Sequence, residues 1–206
     1  MDISCNKRRG NRLHNRERTM RALKEFIVEI KDPFKDHIET EGGLKLFKDR
    51  RWSPKETANI VVTVLEEPLD NPTEIKKGMQ IAIDPTVLFR QVYVKQGEAD
   101  SPNKIKDDFY RIHKSQIVMY KNNENWVCYN NNVLTEQIKE QTHYSNLIVD
   151  PTTKISKGKV RVAITNKDSE VNTGDVVFVN DMGVDFYFEN KHYLWYRNKD
   201  ILAKYE

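Results

Sequence analysis

An all-β fold is predicted for this 206-residue chain, and three observations predict it. Short runs rich in β-branched and aromatic residues recur along it, parted by turns of Pro, Asn and Gly. Long 3.6-residue periodicity is missing, which leaves room only for short helical turns. Three blocks of the first half return in the same order in the second, the mark of a duplicated β unit.

Taken in order, the segments FIVEI (26–30) and NIVVTVL (59–65) read as strands. A turn in EEPLDNPTE leads to KKGMQIAID (76–84), followed by VLFRQVYVK, the loop QGEADSPNKIKDD, and FYRIHKSQIVMYK. In the second half NTGDVVFVN (172–180) parallels KKGMQIAID, with Gly174 matching Gly78. KGKVRVAI (157–164) parallels TANIVVTV, setting Val160 and Val162 against Ile60 and Val62. RNKDILAKY (197–205) answers HKSQIVMYK (113–121), with Ile201 and Leu202 against Ile117 and Val118. The run KNNENWVCYNNN (121–132) lies between the copies, and its Trp126-Val127-Cys128-Tyr129 core reads as a strand rather than a free linker. The expected division is a tail over 1–21, a first barrel over 22–122 and a second over 123–206, the barrels packed firmly together.

Composition sets the outer limits. With 32% charged and 38% hydrophobic residues, the chain reads as a soluble, cytoplasmic protein without a membrane helix or the apolar core of a secretory signal. Cys5 and Cys128 stand far apart and suggest no disulfide framework. The net charge of +3 is unevenly spread. Lys7, Arg8, Arg9, Arg12, Arg16, Arg18 and Arg21 against Asp2 and Glu17 give residues 1–21 a net +5, so the remainder is slightly acidic. That tail reads as a disordered extension, or as a grip for nucleic acid. Met20 offers a second start, MRALKEFIVEI.

No catalytic constellation emerges. His14, His37, His113, His143 and His192 lack the spacing of a zinc site, and no glycine-rich phosphate cradle is present. Asp84, Asp175, Asp181 and Asp185 fall at strand ends, where carboxylates serve turns. The expectation is a protein without enzymatic activity, cofactor or metal. The aromatic run VDFYFENKHYLWYRN (184–198) reads as a hairpin whose alternate residues fill a core while the others meet a neighbouring subunit. A stacking surface for single-stranded nucleic acid is the competing reading.

One stretch fits none of this. In ETEGGLKLF (39–47), two glycines stand directly before Leu44, Leu46 and Phe47, with charged segments on either side. Adjacent glycines favour irregular backbone, so these apolar residues are expected in a long loop, available to a partner.

The order of strand, Gly-Gly loop with aliphatics, strand, Gly-led strand and terminal ILA strand resembles the GroES co-chaperonins. GDVVFVNDMGVDFYFENKHYLWYRNKDILAKYE carries the closest likeness, through Gly174-Asp175, Asn180-Asp181, Gly183 and Asp200 to Ala203. FIVEI, ETEGGLKL and KKGMQIAI extend it to the first half, so it covers about residues 22–206 as two tandem GroES-like β-barrels. The resemblance implies a homo-oligomeric ring that caps a GroEL-type chaperonin, the ATP being bound by the chaperonin. It also implies that Gly42 and Gly43 hinge a mobile loop whose Leu44, Lys45, Leu46 and Phe47 dock into an apolar groove. Lys45 replaces the family's central aliphatic. In the second copy Leu147, Ile148 and Val149 supply the apolar triplet, with Ser145 and Asn146 in place of the glycines. TNKDSEVN and EEPLDNPTE leave little length for a roof, so a reduced dome is expected. A structural or assembly protein, for example in a viral particle, is the alternative reading, and a nucleic-acid binder the third.

Overall fold

Alternation of valine and isoleucine with polar residues sets the strands. In Val61–Glu66, Val62 and Val64 point inward while Val61 and Thr63 face out. A computed structural model describes residues 21–39, 43–47, 53–70, 72–89, 91–93, 97–140, 154–180 and 183–205. The fold is all-β, as predicted. Among the described residues no helix is long and apolar enough to cross a membrane.

The first half contains β1 (Phe26–Glu29), β2 (His37–Glu39), β3 (Lys45–Phe47) and the single-turn α1 (Pro54–Thr57). It continues with β4 (Val61–Glu66), β5 (Gln80–Ile83), β6 (Gln91–Tyr93) and β7 (Gly97–Ala99). Its last strands are β8 (Lys104–Lys106), β9 (Phe109–Ile112), β10 (Ile117–Asn122) and β11 (Asn125–Cys128). The second half contains β12 (Asn132–Glu140), β13 (Lys154–Ile164), β14 (Val176–Val179), β15 (Val184–Phe188), β16 (Lys191–Arg197) and β17 (Ile201–Tyr205). The loop expected at QGEADSPNKIKDD therefore holds β7 and β8, strands too short and polar to show a period.

Two main antiparallel sheets result, beside the two-stranded ladders β2-β3 and β6-β7. The first runs β11-β10-β5-β4-β1-β9-β8 and the second β15-β16-β12-β13-β14-β17, both open among the described residues. Matching β8, β9, β1, β4, β5 and β10 to β15, β16, β12, β13, β14 and β17 gives one strand order in both halves. The irregularities match as well. A bulge after Ile27 answers one after Leu134, each on the first strand where it meets the second. The Gly78 and Gly174 amides donate to the Val64 and Val162 carbonyls, both at 2.8 Å. A 3-10 turn at Lys114–Gln116 precedes β10, and one at Asn198–Asp200 precedes β17. The Gln116 and Asp200 carbonyls accept from Asp84 and Asn180 at 2.8 and 3.0 Å. The matches of Gly174 to Gly78 and Ile201 to Ile117 thus hold.

One register is corrected. Because Val162 pairs with the Gly174 turn as Val64 does with Gly78, Val160 and Val162 answer Val62 and Val64, not Ile60 and Val62. A slip of two keeps every side chain on its face, so alternation alone does not reveal it. The strand expected within KNNENWVCYNNN is β11, which pairs with β10, so the change of sheet falls between Cys128 and Asn132.

The sheets share a core. Phe26, Val28, Ile81, Ile83, Ile112, Ile117 and Met119 of the first pack with Leu134, Phe186, Phe188, Tyr193 and Trp195 of the second. A smaller cluster holds Val133, Val160, Val162, Val177, Leu194 and Tyr196. Strand β16 is consequently buried on both faces. Tyr193 and Trp195 enter the large core and Leu194 and Tyr196 the small one, so the expected contact of alternate residues with a neighbouring subunit is replaced by burial within the chain. Cys128 lies at the seam, its thiol donating to the Ile164 carbonyl at 3.2 Å. Burial pushes this thiol up to about 12, which keeps it protonated and unreactive.

Candidate partner-binding hairpin

The residues on either side of the Gly-Gly pair, 37–39 and 45–47, form a two-stranded hairpin ladder rather than extended loop. Strands β2 and β3 pair antiparallel, with His37 opposite Phe47, Ile38 opposite Leu46 and Glu39 opposite Lys45. Gly43 sits at the turn with φ +76°, a conformation that glycine takes without a Cβ penalty. The correction to the expected loop is physical: the glycine supplies the turn between two strands, and the apolar residues after it lie in or beside a ladder.

This two-stranded ladder joins neither main sheet. Its root is clamped. Phe34 bridges to Ala58, the Lys35 amide donates to the Thr57 carbonyl at 2.7 Å, and the Asn59 amide donates to Pro33 at 2.9 Å. The Asn59 side chain adds a bond to the Asp32 carbonyl at 2.7 Å. Beyond that root the apolar residues face outward. Leu44 is 62% exposed, Leu46 49% and Phe47 84%. Lys45 is exposed beside them. Large apolar groups held this far out are the feature that marks an interaction site.

A cleft of about 360 Å³ opens at the root, between Lys35, His37 and Glu56 on one side and Tyr187 and Glu189 on the other. The turn of the β15–β16 hairpin therefore lies close to the base of the β2–β3 hairpin. Gly42 lies outside the described residues, as do Leu147, Ile148 and Val149 of the second triplet. Their segment, 141–153, connects β12 to β13 as the β2–β3 segment connects β1 to β4.

The other candidates resolve into structural roles. Asp84 accepts from the Thr86 amide at 2.9 Å and caps a 3-10 turn. Asp175 accepts from the Asn172 amide at 2.8 Å and pairs with Lys204 at 2.8 Å, which holds its carboxyl below the usual range. His113 accepts from the Ser115 amide and caps the turn before β10. Asp185 meets His192 at 2.9 Å on the surface. Asp181, His14, His143 and Cys5 lie outside the described residues. Among the described residues no group of three or more His, Cys, Asp or Glu is placed to hold a metal.

Of the six aromatic rings in the run only Tyr187 is partly exposed, so the run offers no continuous stacking surface for nucleic acid. Phe186, Phe188, Tyr193, Trp195 and Tyr196 are all buried, the most exposed at 8%. The basic tail over 1–20 lies outside the described residues. A scan of the chain against protein-family models gives no match, and a search of curated proteins gives none.

Proposed function

We propose that this protein is a co-chaperonin, which caps a GroEL-type chaperonin through the β2–β3 hairpin and assists folding in the cytoplasm without a catalytic step of its own. One observation carries the reading: a hairpin detached from both sheets holds Leu44, Leu46 and Phe47 in solvent. Burying each of these in an apolar groove contributes about 1.5–3 kcal/mol. The preformed ladder lowers the ordering cost of docking, since its residues are already paired. Several hairpins on one ring multiply weak contacts into firm, reversible capping.

The ring itself draws support from β17. Its burial runs from half-buried Ile201 to exposed Leu202, Ala203, Lys204 and Tyr205, and it ends the second sheet. An edge strand carrying exposed Leu202 and Tyr205 suits pairing with another copy. The matched strand order of the two halves supports their descent from one duplicated GroES-like unit.

A structural or assembly protein without chaperonin contact is the second reading. It is favoured by Lys45, which places a charge between the two leucines. Pull-down against purified GroEL-type chaperonin, with and without ATP, separates the two. Capture that needs ATP and is lost in Leu44→Asp with Leu46→Asp supports the cap. Capture unchanged in that variant counts against it, and permanent incorporation into a large particle favours the assembly reading.

A further inference from the structure

We propose that the outer face of β13, β14 and β17 binds single-stranded nucleic acid, with Phe178 and Tyr205 as stacking platforms and Lys159 and Arg161 as phosphate contacts. The site does not depend on the chaperonin reading, and it lies outside the aromatic run 184–198.

Strand register builds this face. Lys159 stands opposite Phe178 and Arg161 opposite Val176, while on the other side of β14 Phe178 meets Ala203 and Val176 meets Tyr205. Cross-strand partners share a face of the sheet. The residues between them, Val160, Val162, Val177 and Val179, turn to the small core instead. Phe178 is 38% exposed and Tyr205 59%. Their ring centroids lie 6.4 Å apart at 54°, and Ala203, across from Phe178, is too small to cover either ring. The Lys159 ammonium sits 4.6 Å from the centre of the Tyr205 ring. Arg161 is exposed opposite Glu136, and among the described residues no ion pair joins them. Asp175, at the start of β14, is already neutralised by Lys204 at 2.8 Å.

The first sheet supplies an internal control. There β4 and β5 set Val61 opposite Ala82 and Thr63 opposite Gln80, the positions that match Lys159 with Phe178 and Arg161 with Val176. The scaffold forms there with no aromatic ring and no cation at those four positions. Folding therefore does not call for Phe178, Lys159 and Arg161 on the second sheet, and their presence there points to a ligand. Exposed rings beside unpaired cations fit one chemistry closely: bases stack on the rings and phosphates meet the cations. A duplex keeps its bases stacked on one another, so only a single strand uses both features. Pairing of another copy along the edge of β17 engages backbone groups and leaves this face open.

The test measures fluorescence anisotropy of a labelled single-stranded oligonucleotide of about 12 nucleotides, titrated with the full chain at several salt concentrations. The parent is compared with Phe178→Ala, Tyr205→Ala, Tyr205→Phe, and Lys159→Gln with Arg161→Gln. Thermal midpoints close to the parent's show that each variant is folded. The parent is expected to bind the single strand more tightly than a duplex of the same sequence. Each alanine variant is expected to bind it about tenfold more weakly, and Tyr205→Phe, which keeps the ring, as the parent does. The Lys159 and Arg161 variant is expected to flatten the slope of log affinity against log salt by about 1.4. Parent-like affinity in both alanine variants overturns the proposal, because binding then comes from elsewhere, such as the basic tail. A parent that does not bind the single strand, or binds the duplex equally well, overturns it too. An altered native mass in the alanine variants with unchanged oligonucleotide affinity assigns the face to a subunit contact instead. None of these outcomes bears on capture by the chaperonin, which tests the β2–β3 hairpin separately.

Discussion

The buried Asn132 side chain ties Trp195 of the second sheet to β10 of the first. Its side-chain oxygen accepts the indole N–H at 3.0 Å, while its amide group donates to the carbonyls of Ile117 and Val118 at 3.0 and 3.3 Å. Asn132 and Trp195 belong to adjacent strands of the second sheet, and Ile117 and Val118 to β10 of the first. Every polar atom in this relay is buried, so each bond depends on the others.

Asn132→Ala leaves the Trp195 indole N–H without its acceptor inside the core. The expected loss is about 2 kcal/mol in urea unfolding. Because Trp195 sits in a cluster built from both sheets, unfolding is expected as a single transition by circular dichroism and by tryptophan fluorescence alike. Two separated transitions would contradict a shared core.

The duplicated turns make a matched experiment. Gly78 and Gly174 have φ of +86° and +95° with open space where a Cβ would stand. Gly78→Ala and Gly174→Ala are each expected to cost about 1–2 kcal/mol, from backbone strain alone. Gly183 differs, since a Cβ there would lie 2.6 Å from Tyr196 Cζ, on a ring in the small core. Gly183→Ala is therefore expected to lower the melting midpoint more than either of the other two.

Asp175 gives an acid signature. Its bonds to Lys204 and to the Asn172 amide hold the folded carboxyl below its unfolded value. A lowered folded value means that the stabilisation is complete above the usual carboxylate range and fades as pH falls through it. Asp175→Asn is expected to be less stable than the parent at neutral pH, with the gap closing toward strongly acid pH. A gap constant with pH would exclude the carboxylate as its source.

Much of this architecture was legible where a residue has few ways to act. The glycines at 78 and 174 mark the same turn, and the His113 and Arg197 positions begin the same 3-10 turn, before β10 and β17. Period-two patterns slide without penalty, so the sequence alone does not set Val160 against Val62 rather than Ile60. The alternation in HYLWY hid a strand buried on both faces, because which face meets a second core depends on chain segments far away. In the candidate site, Leu44, Leu46 and Phe47 were legible as misplaced apolar groups. The hairpin that carries them was not, since Gly43 marks a turn as readily as a hinge. The β6–β7 hairpin leaves little trace in the sequence, because short strands next to charged residues carry little periodic signal.

Hydrogen exchange at residues 43–47, measured on the free chain and again with chaperonin and ATP, tests the central claim most directly. Slowed exchange at Leu44 to Phe47 in the complex, with the amides of β4 and β5 unchanged, is the predicted result. A complex that forms while those residues exchange as fast as before would contradict a hairpin built to dock.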